Sequence, residues 1–144
     1  MMPFNYYLKN GDVKKSSRDV ELSKSLIKDM NVRIEMMEFL DIKKFSKIIF
    51  ENIYDSLRDF CDAILAVKGY KSYSHQASIS YLECEGFDVS FIERLDQFRY
   101  RRNSSKYYGH EISVEDTEAI KKFYKYNSEK INKKIKEVLK IKKG

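Results

Sequence analysis

The stretch FRYRRNSSKYYGHEIS, Phe98 to Ser113, is where side chains able to do chemistry gather most densely. It holds Arg99, Arg101, Arg102 and Lys106, the amide of Asn103, the hydroxyls of Ser104, Ser105, Tyr100, Tyr107 and Tyr108, and His110, one of two histidines in the chain. Cations interleaved with tyrosines suit a single-stranded RNA, because the cations meet phosphates and the rings stack on bases. A histidine near an arginine can act on a phosphodiester instead, the imidazole as acid or base and the guanidinium as a stabiliser of developing charge. The same residues also fit an ordinary polar helix end, with Gly109 as its left-handed terminator and Tyr107 or Tyr108 packed over the fold.

Helical phase separates the arginines. Phe91, Leu95 and Phe98 mark an inward face. At about 100° per residue Arg102 falls within about 20° of the centre of that face, and Arg101 points away from it. A guanidinium aimed into an apolar interior has to reach a carboxylate of a neighbouring helix, a carbonyl, a groove between subunits or a bound phosphate. The sequence leaves these partners open.

Other chemistry is poorly supported. Glu51, Asp55, Asp59 and Asp62 could pair as acid and base or hold a cation, but 51, 55 and 62 lie opposite the apolar stripe through Ile53, which predicts solvated charges. His75 has no His or Cys at metal-ligand spacing and reads as a structural or surface residue. Cys61 and Cys84 form no C-x-x-C and are expected to be buried free thiols. No serine or cysteine sits in a glycine elbow, and no glycine-rich phosphate loop is present. No metal and no cofactor are expected.

The elements that must position these residues are helices. A single proline, Pro3, and five glycines leave few turn signals for a strand-rich fold. Leu26, Ile27, Met30, Ile34 and Met37 share a face, predicting a helix over about 17–39 capped by Ser16 or Ser17. Phe45, Ile49, Ile53, Leu57, Phe60, Ile64 and Val67 predict a longer one over about 43–68, closed by Gly69. Ser74 caps a short third helix carrying Ala77, Tyr81 and Cys84 up to Gly86, and Asp88 opens the fourth, which carries Arg102. Ser113 with Asp116 forms a capping box for the last, whose face is Ile120, Tyr124, Asn127, Ile131, Ile135 and Val138. The expectation is one all-α domain over 1–144, an antiparallel bundle of about five helices with its core over about 17–140 and a flexible segment at 1–15.

The formal net charge of +6 is compatible with a polyanionic partner. Part of it belongs to the lysine-rich last helix, whose exposed face serves solubility. No segment approaches the about 20 apolar residues of a membrane span, and no apolar run of leader length opens the chain, so a soluble cytoplasmic protein is expected.

Three stretches in order, IFENIYDSLRDFCDAILAVKGYKSYSH from Ile49, ASISYL from Ala77 and RRNSSKYYG from Arg101, resemble the HEPN-domain family, of the type encoded beside minimal nucleotidyltransferases. The resemblance spans roughly residues 18–140. It implies a homodimeric helical bundle in which two copies of the fourth helix face one cleft. In active members an Arg followed after four to six residues by His makes a metal-independent ribonuclease, often a toxin held by its nucleotidyltransferase partner. On that pattern Arg102 and Asn103 match the Arg and its polar follower, and His110 is the candidate acid or base. The spacing departs from the pattern, since residues 103–109 stand between Arg102 and His110. Tyr107, at a permitted position, is a poor substitute for imidazole at neutral pH, with a phenol pKa near about 10. The leading expectation is therefore binding of RNA or a nucleotide phosphate in an inter-subunit cleft by Arg102, Asn103, Lys106, Tyr107 and Tyr108. A ribonuclease using Arg102 and His110, and a non-catalytic interaction partner, are the alternatives.

Overall fold

In the computed structural model, which describes residues 1–142, the chain runs as α1 (Phe4–Asn10), β1 (Val13–Lys15), α2 (Val20–Met37), α3 (Ile42–Lys68), β2 (Tyr70–Ser72), α4 (His75–Ser80), a 3-10 turn (Tyr81–Glu85), α5 (Val89–Tyr108) and α6 (Val114–Leu139). Short polar side chains start the helices by accepting N–H groups that have no helical partner. Asp19 accepts from Leu22, Asp41 from Lys43, Ser74 from Ala77 and Asp88 from Phe91. Ser113 and Asp116 close the capping box that their spacing predicts. The start of α2 differs from expectation. The Ser16 N–H is taken by the Gly69 carbonyl at 2.8 Å, so the chain stays extended there and the helix begins only after Asp19.

α3 is the central element. Phe50, Ile53, Tyr54, Leu57, Phe60 and Ile64 are all buried along it. α2 returns antiparallel to it, with the Ser23 hydroxyl donating to the Ala63 carbonyl at 2.9 Å near one end and Ser56 reaching the Met30 carbonyl at 3.5 Å further along. α6 runs alongside α3, fastened where the Thr117 hydroxyl donates to the Ser46 carbonyl at 2.7 Å. Phe98 of α5 lies edge-on to Phe50 of α3 and to Phe123 of α6, at 6.0 and 5.3 Å between ring centres, which joins the three helices through one core. Burying a large aromatic of this kind is worth roughly 1.5–3 kcal/mol. The result is a helical bundle, as the periodicity predicts.

Three expectations are corrected. Residues 1–15 are not without structure: α1 buries Phe4 and Tyr7, with Phe4 set edge-on against Tyr70 and Tyr81 at 5.1 and 4.7 Å. β1 and β2 pair antiparallel, Val13 opposite Ser72 and Lys15 opposite Tyr70, adding a small sheet to the helical fold. Three-residue strands are too short to leave an alternating pattern. The segment after α4 tightens into a 3-10 turn, in which side chains advance by about 120° rather than 100° per residue. Leu82 takes the inward position, and Cys84 is exposed whereas Cys61 is buried.

Gly69 makes the corner between α3 and β2 at φ +82°, and a Cβ there would stand 3.0 Å from the Ser16 carbonyl oxygen. Gly109, at φ +70°, has open space at the same position. Gly109→Ala is therefore expected to cost about 1 kcal/mol for the left-handed backbone alone, and Gly69→Ala at least about 2 kcal/mol. Urea unfolding of the two variants checks this; equal losses would mean that the Ser16 carbonyl yields freely.

Candidate anion-binding site

Arg102 reaches inward as its phase predicts, with 8% of the residue exposed. Its Nη2 donates to Asp55 Oδ1 of α3 at 3.3 Å, and its guanidinium carbon lies 5.6 Å from the centre of the Tyr54 ring. Its Nε–H is buried and has no partner. Among the partners left open by the sequence, a neighbouring carboxylate is thus present but insufficient. Charge-assisted N–H to carboxylate bonds ordinarily close to about 2.7–2.9 Å, and a buried donor left unsatisfied costs about 1–3 kcal/mol.

Of the acids expected to be solvated, Glu51 meets only Lys47 of its own helix, at 3.9 Å, whereas Asp55 and Asp62 are engaged by other helices. Because α3 is central, other elements cover its flanks. Asp55 meets Arg102, Asp59 pairs with Arg33 of α2, and Asp62 accepts the Ser78 hydroxyl of α4 at 3.0 Å. Burial pushes the Asp59 carboxyl up to about 6 against the pull of Arg33, and it raises Asp62 against the opposing effects of Ser78 and Arg58. Among the described residues, no three His, Cys, Asp or Glu side chains converge as a metal would require.

Arg102 is one of several cations turned toward the junction of α3, α4 and α5. On α5, Arg99, Arg102 and Lys106 fall on one ridge at i, i+3 and i+7. Arg99 Nε donates to Asp96 at 2.6 Å, while Lys106 is exposed and rests 5.6 Å from the Tyr107 ring centre. Arg58 of α3 holds Asp62 loosely, at 3.8 Å. His75, the first residue of α4, stands with Tyr54, Arg58, Cys61, Ser78, Ile79 and Leu95 around a narrow crevice, its Nδ1 3.5 Å from the Tyr54 hydroxyl. Burial, followed by the fields of Arg58, Arg102, Arg99 and Lys106, brings the His75 pKa down to about 4, so the imidazole is neutral at pH 7. Burial raises the Tyr54 phenol far above its ordinary value and keeps it protonated.

His110 is placed elsewhere. It is exposed, its Nδ1 meets the Ser104 hydroxyl, and its ring lies 6.5 Å from Tyr108. Ser104 follows Arg102 by two residues, about 200° round the helix, so within one chain His110 is held on the face away from Arg102. Arg101 also leaves the site, binding Asp116 at 2.9 and 3.1 Å and the Glu111 carbonyl, and so ties the end of α5 to the start of α6. Asn103 is half-buried; Tyr107 and Tyr108 are exposed, as is Tyr100, which shares a face with Tyr107. Tyr54, Asp55, Arg58 and His75 are members of the cluster that the sequence did not single out as a site. The i, i+3, i+7 spacing of Arg99, Arg102 and Lys106 was the available signal, whereas the contribution of α3 and α4 depends on packing between distant segments.

The crevice at His75 is too narrow to enclose a ligand. A roomier apolar groove of about 570 Å³ lies elsewhere, between the end of α2, the start of α3 and α6. The cationic cluster is partly open, with Lys106 and Arg58 reaching solvent and Arg99 and Arg102 largely covered, and it has a narrow crevice beside it, which suits a charged strand laid across it better than a small molecule enclosed by it. No helix among the described residues is long and apolar enough to cross a membrane. Compared with known proteins, the chain matches no family model, no curated protein and no solved structure.

The geometry separates the two members of the buried pair. Asp55→Ala leaves Arg102 with no carboxylate and is expected to destabilise the fold by about 1–3 kcal/mol. Arg102→Met, which removes the buried charge, fills much of its volume and leaves behind an Asp55 whose side chain is 31% exposed to water, is expected to cost less than about 1 kcal/mol. Chemical unfolding of both variants reads the difference. A large loss with Arg102→Met would make the arginine a structural necessity.

Proposed function

We propose that this chain binds the phosphates of RNA or of a nucleotide on the surface formed by Arg58, Arg99, Arg102 and Lys106. The observation that carries the reading is Arg102: a buried guanidinium with a spare N–H and one long contact, flanked by further cations on two helices. Arg102 Nε is covered in this conformation, so a phosphate oxygen supplies what that donor lacks only as the guanidinium swings outward, and neutralising several cations at once releases the counterions of the nucleic acid. Tyr100, Tyr107 and Tyr108 are exposed on the same helix but about 120–160° round from Arg102, so a strand on the cation ridge reaches their rings only by wrapping the end of α5.

The proposal is of HEPN type and extends to a homodimer in which two copies of α5 line one cleft, with a nucleotidyltransferase as a further protein partner. Arg99 and Arg102 are each met by an acid of their own chain, so two copies of α5 face to face bring chiefly the two Lys106 charges together, which a phosphate between them would offset. The ribonuclease reading is not favoured, because His110 lies with Ser104 and not with Arg102.

Fluorescence anisotropy with a labelled oligouridylate, repeated at two salt concentrations, tests this. Arg102→Met is expected to weaken binding about tenfold or more, a loss of about 1.4 kcal/mol, and to lower the salt slope by about 0.7 per phosphate contact removed. Substituting Lys133 and Lys134 of α6 is expected to change it little. Affinity indifferent to Arg102→Met, or governed by the α6 lysines, would overturn the site.

A further inference from the structure

His75 takes no part in the reading so far, yet its position is unusual. It is half-buried at the start of α4, and the fields of Arg58 on α3 and of Arg99, Arg102 and Lys106 on α5 all bear on it. The acids facing the same junction, Asp55, Asp62 and Asp96, are each engaged, with Arg102, with Ser78 and Arg58, and with Arg99 respectively. Cys61 is buried, and burial raises its thiol. On the amino-terminal side, Tyr7 is buried with its phenol raised by burial, and Asp12 lines a separate crevice with Ser74 and Gln76.

The Tyr54 hydroxyl stands 3.5 Å from His75 Nδ1. In the tautomer in which the phenol, kept protonated by burial, donates to Nδ1, the neutral ring bears its hydrogen on Nε2. Nε2 has no protein partner among the described residues. A ring in this tautomer, held among cations with an unoccupied donor, is arranged to meet an anion.

We infer that His75 is the proton-coupled ligand of the anion site, giving its Nε2–H to a phosphate oxygen and taking up a second proton at Nδ1 when a phosphodiester settles among Arg58, Arg99, Arg102 and Lys106. The inference rests on the phosphate-binding reading above. In the empty site the cations and burial keep the ring neutral. A bound polyanion cancels the field of those cations and adds a negative charge beside the ring, so the imidazolium becomes the favoured form. On protonation the Tyr54 hydroxyl turns from donor to acceptor, which its rotatable O–H permits.

The sign follows from linkage. With the free ring titrating at about 4 and the occupied one higher, the complex holds more protons than the free protein between those values. Affinity therefore rises as the pH falls through that window and is flat below it.

The test is binding of oligouridylate to the full chain at pH 7.5 and 5.5, because neither uracil nor the internal phosphodiesters of this probe change charge in that range. If the occupied ring titrates near its unperturbed value of about 6.5, the parent binds about tenfold tighter at the lower pH, and His75→Gln binds equally at both. Titration calorimetry in two buffers of different ionisation heat is expected to register uptake of close to one proton per site at pH 5.5 in the parent and none in His75→Gln. Circular dichroism at both pH values establishes that the variant is folded. Binding without pH dependence, or the same dependence and proton uptake in His75→Gln, overturns the role of His75 while leaving phosphate binding intact. Absence of binding at either pH overturns the phosphate-binding reading, and this inference with it.

Discussion

A guanidinium withdrawn from water needs more than the single 3.3 Å contact that Asp55 gives Arg102. Desolvating an arginine is expensive, and an ion pair repays that cost only when its geometry is good and its remaining donors are met. Here Nε is orphaned and the bond is long. The surroundings do not relieve the deficit: Asp96 and Asp62 are engaged with Arg99 and Arg58, and Lys106 adds a further positive charge on the same ridge. An interior pair that is incompletely satisfied, beside a surface that is incompletely neutralised, is the constraint around which the functional reading is built.

The fold explains how that constraint is held in place. α3 is packed by α2, α4, α5 and α6, so its acidic residues become partners for other helices rather than solvated charges. Phe98 anchors α5 against Phe50 and Phe123 one turn before Arg102, and the Arg101 link to Asp116 and Glu111 fixes the end of the helix beyond it. Gly109 then reverses the chain, with the His110 N–H bonding the Ser104 carbonyl at 3.3 Å. The imidazole is thereby drawn to the outer face of α5. The neighbours Arg101 and Arg102 illustrate the division of labour, one closing the fold and the other held in an incompletely satisfied buried pair.

Much of this arrangement was legible in the sequence where a single helix carries the information. The caps at Ser74, Asp88 and Ser113, the terminators Gly69 and Gly109 and the inward turn of Arg102 all follow from local spacing. What was not legible depends on contacts between segments far apart in the chain. A stripe opposite the apolar face of α3 reads as solvent-exposed unless one knows that other helices cover it, so the engagement of Asp55 and Asp62 by α5 and α4 was not visible. His75 has no ligand-like spacing to draw attention to it and acquires its character only from Tyr54, Arg58 and α5. The pairing of Val13–Lys15 with Tyr70–Ser72 is likewise nonlocal and too short to show as a pattern.

The most direct test of the central claim is to watch the unpartnered donor itself. In ¹⁵N-edited NMR spectra the Arg102 Nε–Hε resonance, assigned by comparison with Arg102→Met, can be followed while oligouridylate is added. Phosphate binding at this site predicts that the resonance moves downfield as the N–H gains a charge-assisted partner, together with those of Arg58 and Arg99. A saturating titration in which the Arg102 signal stays fixed, while only amides of the lysine-rich α6 respond, would contradict the account.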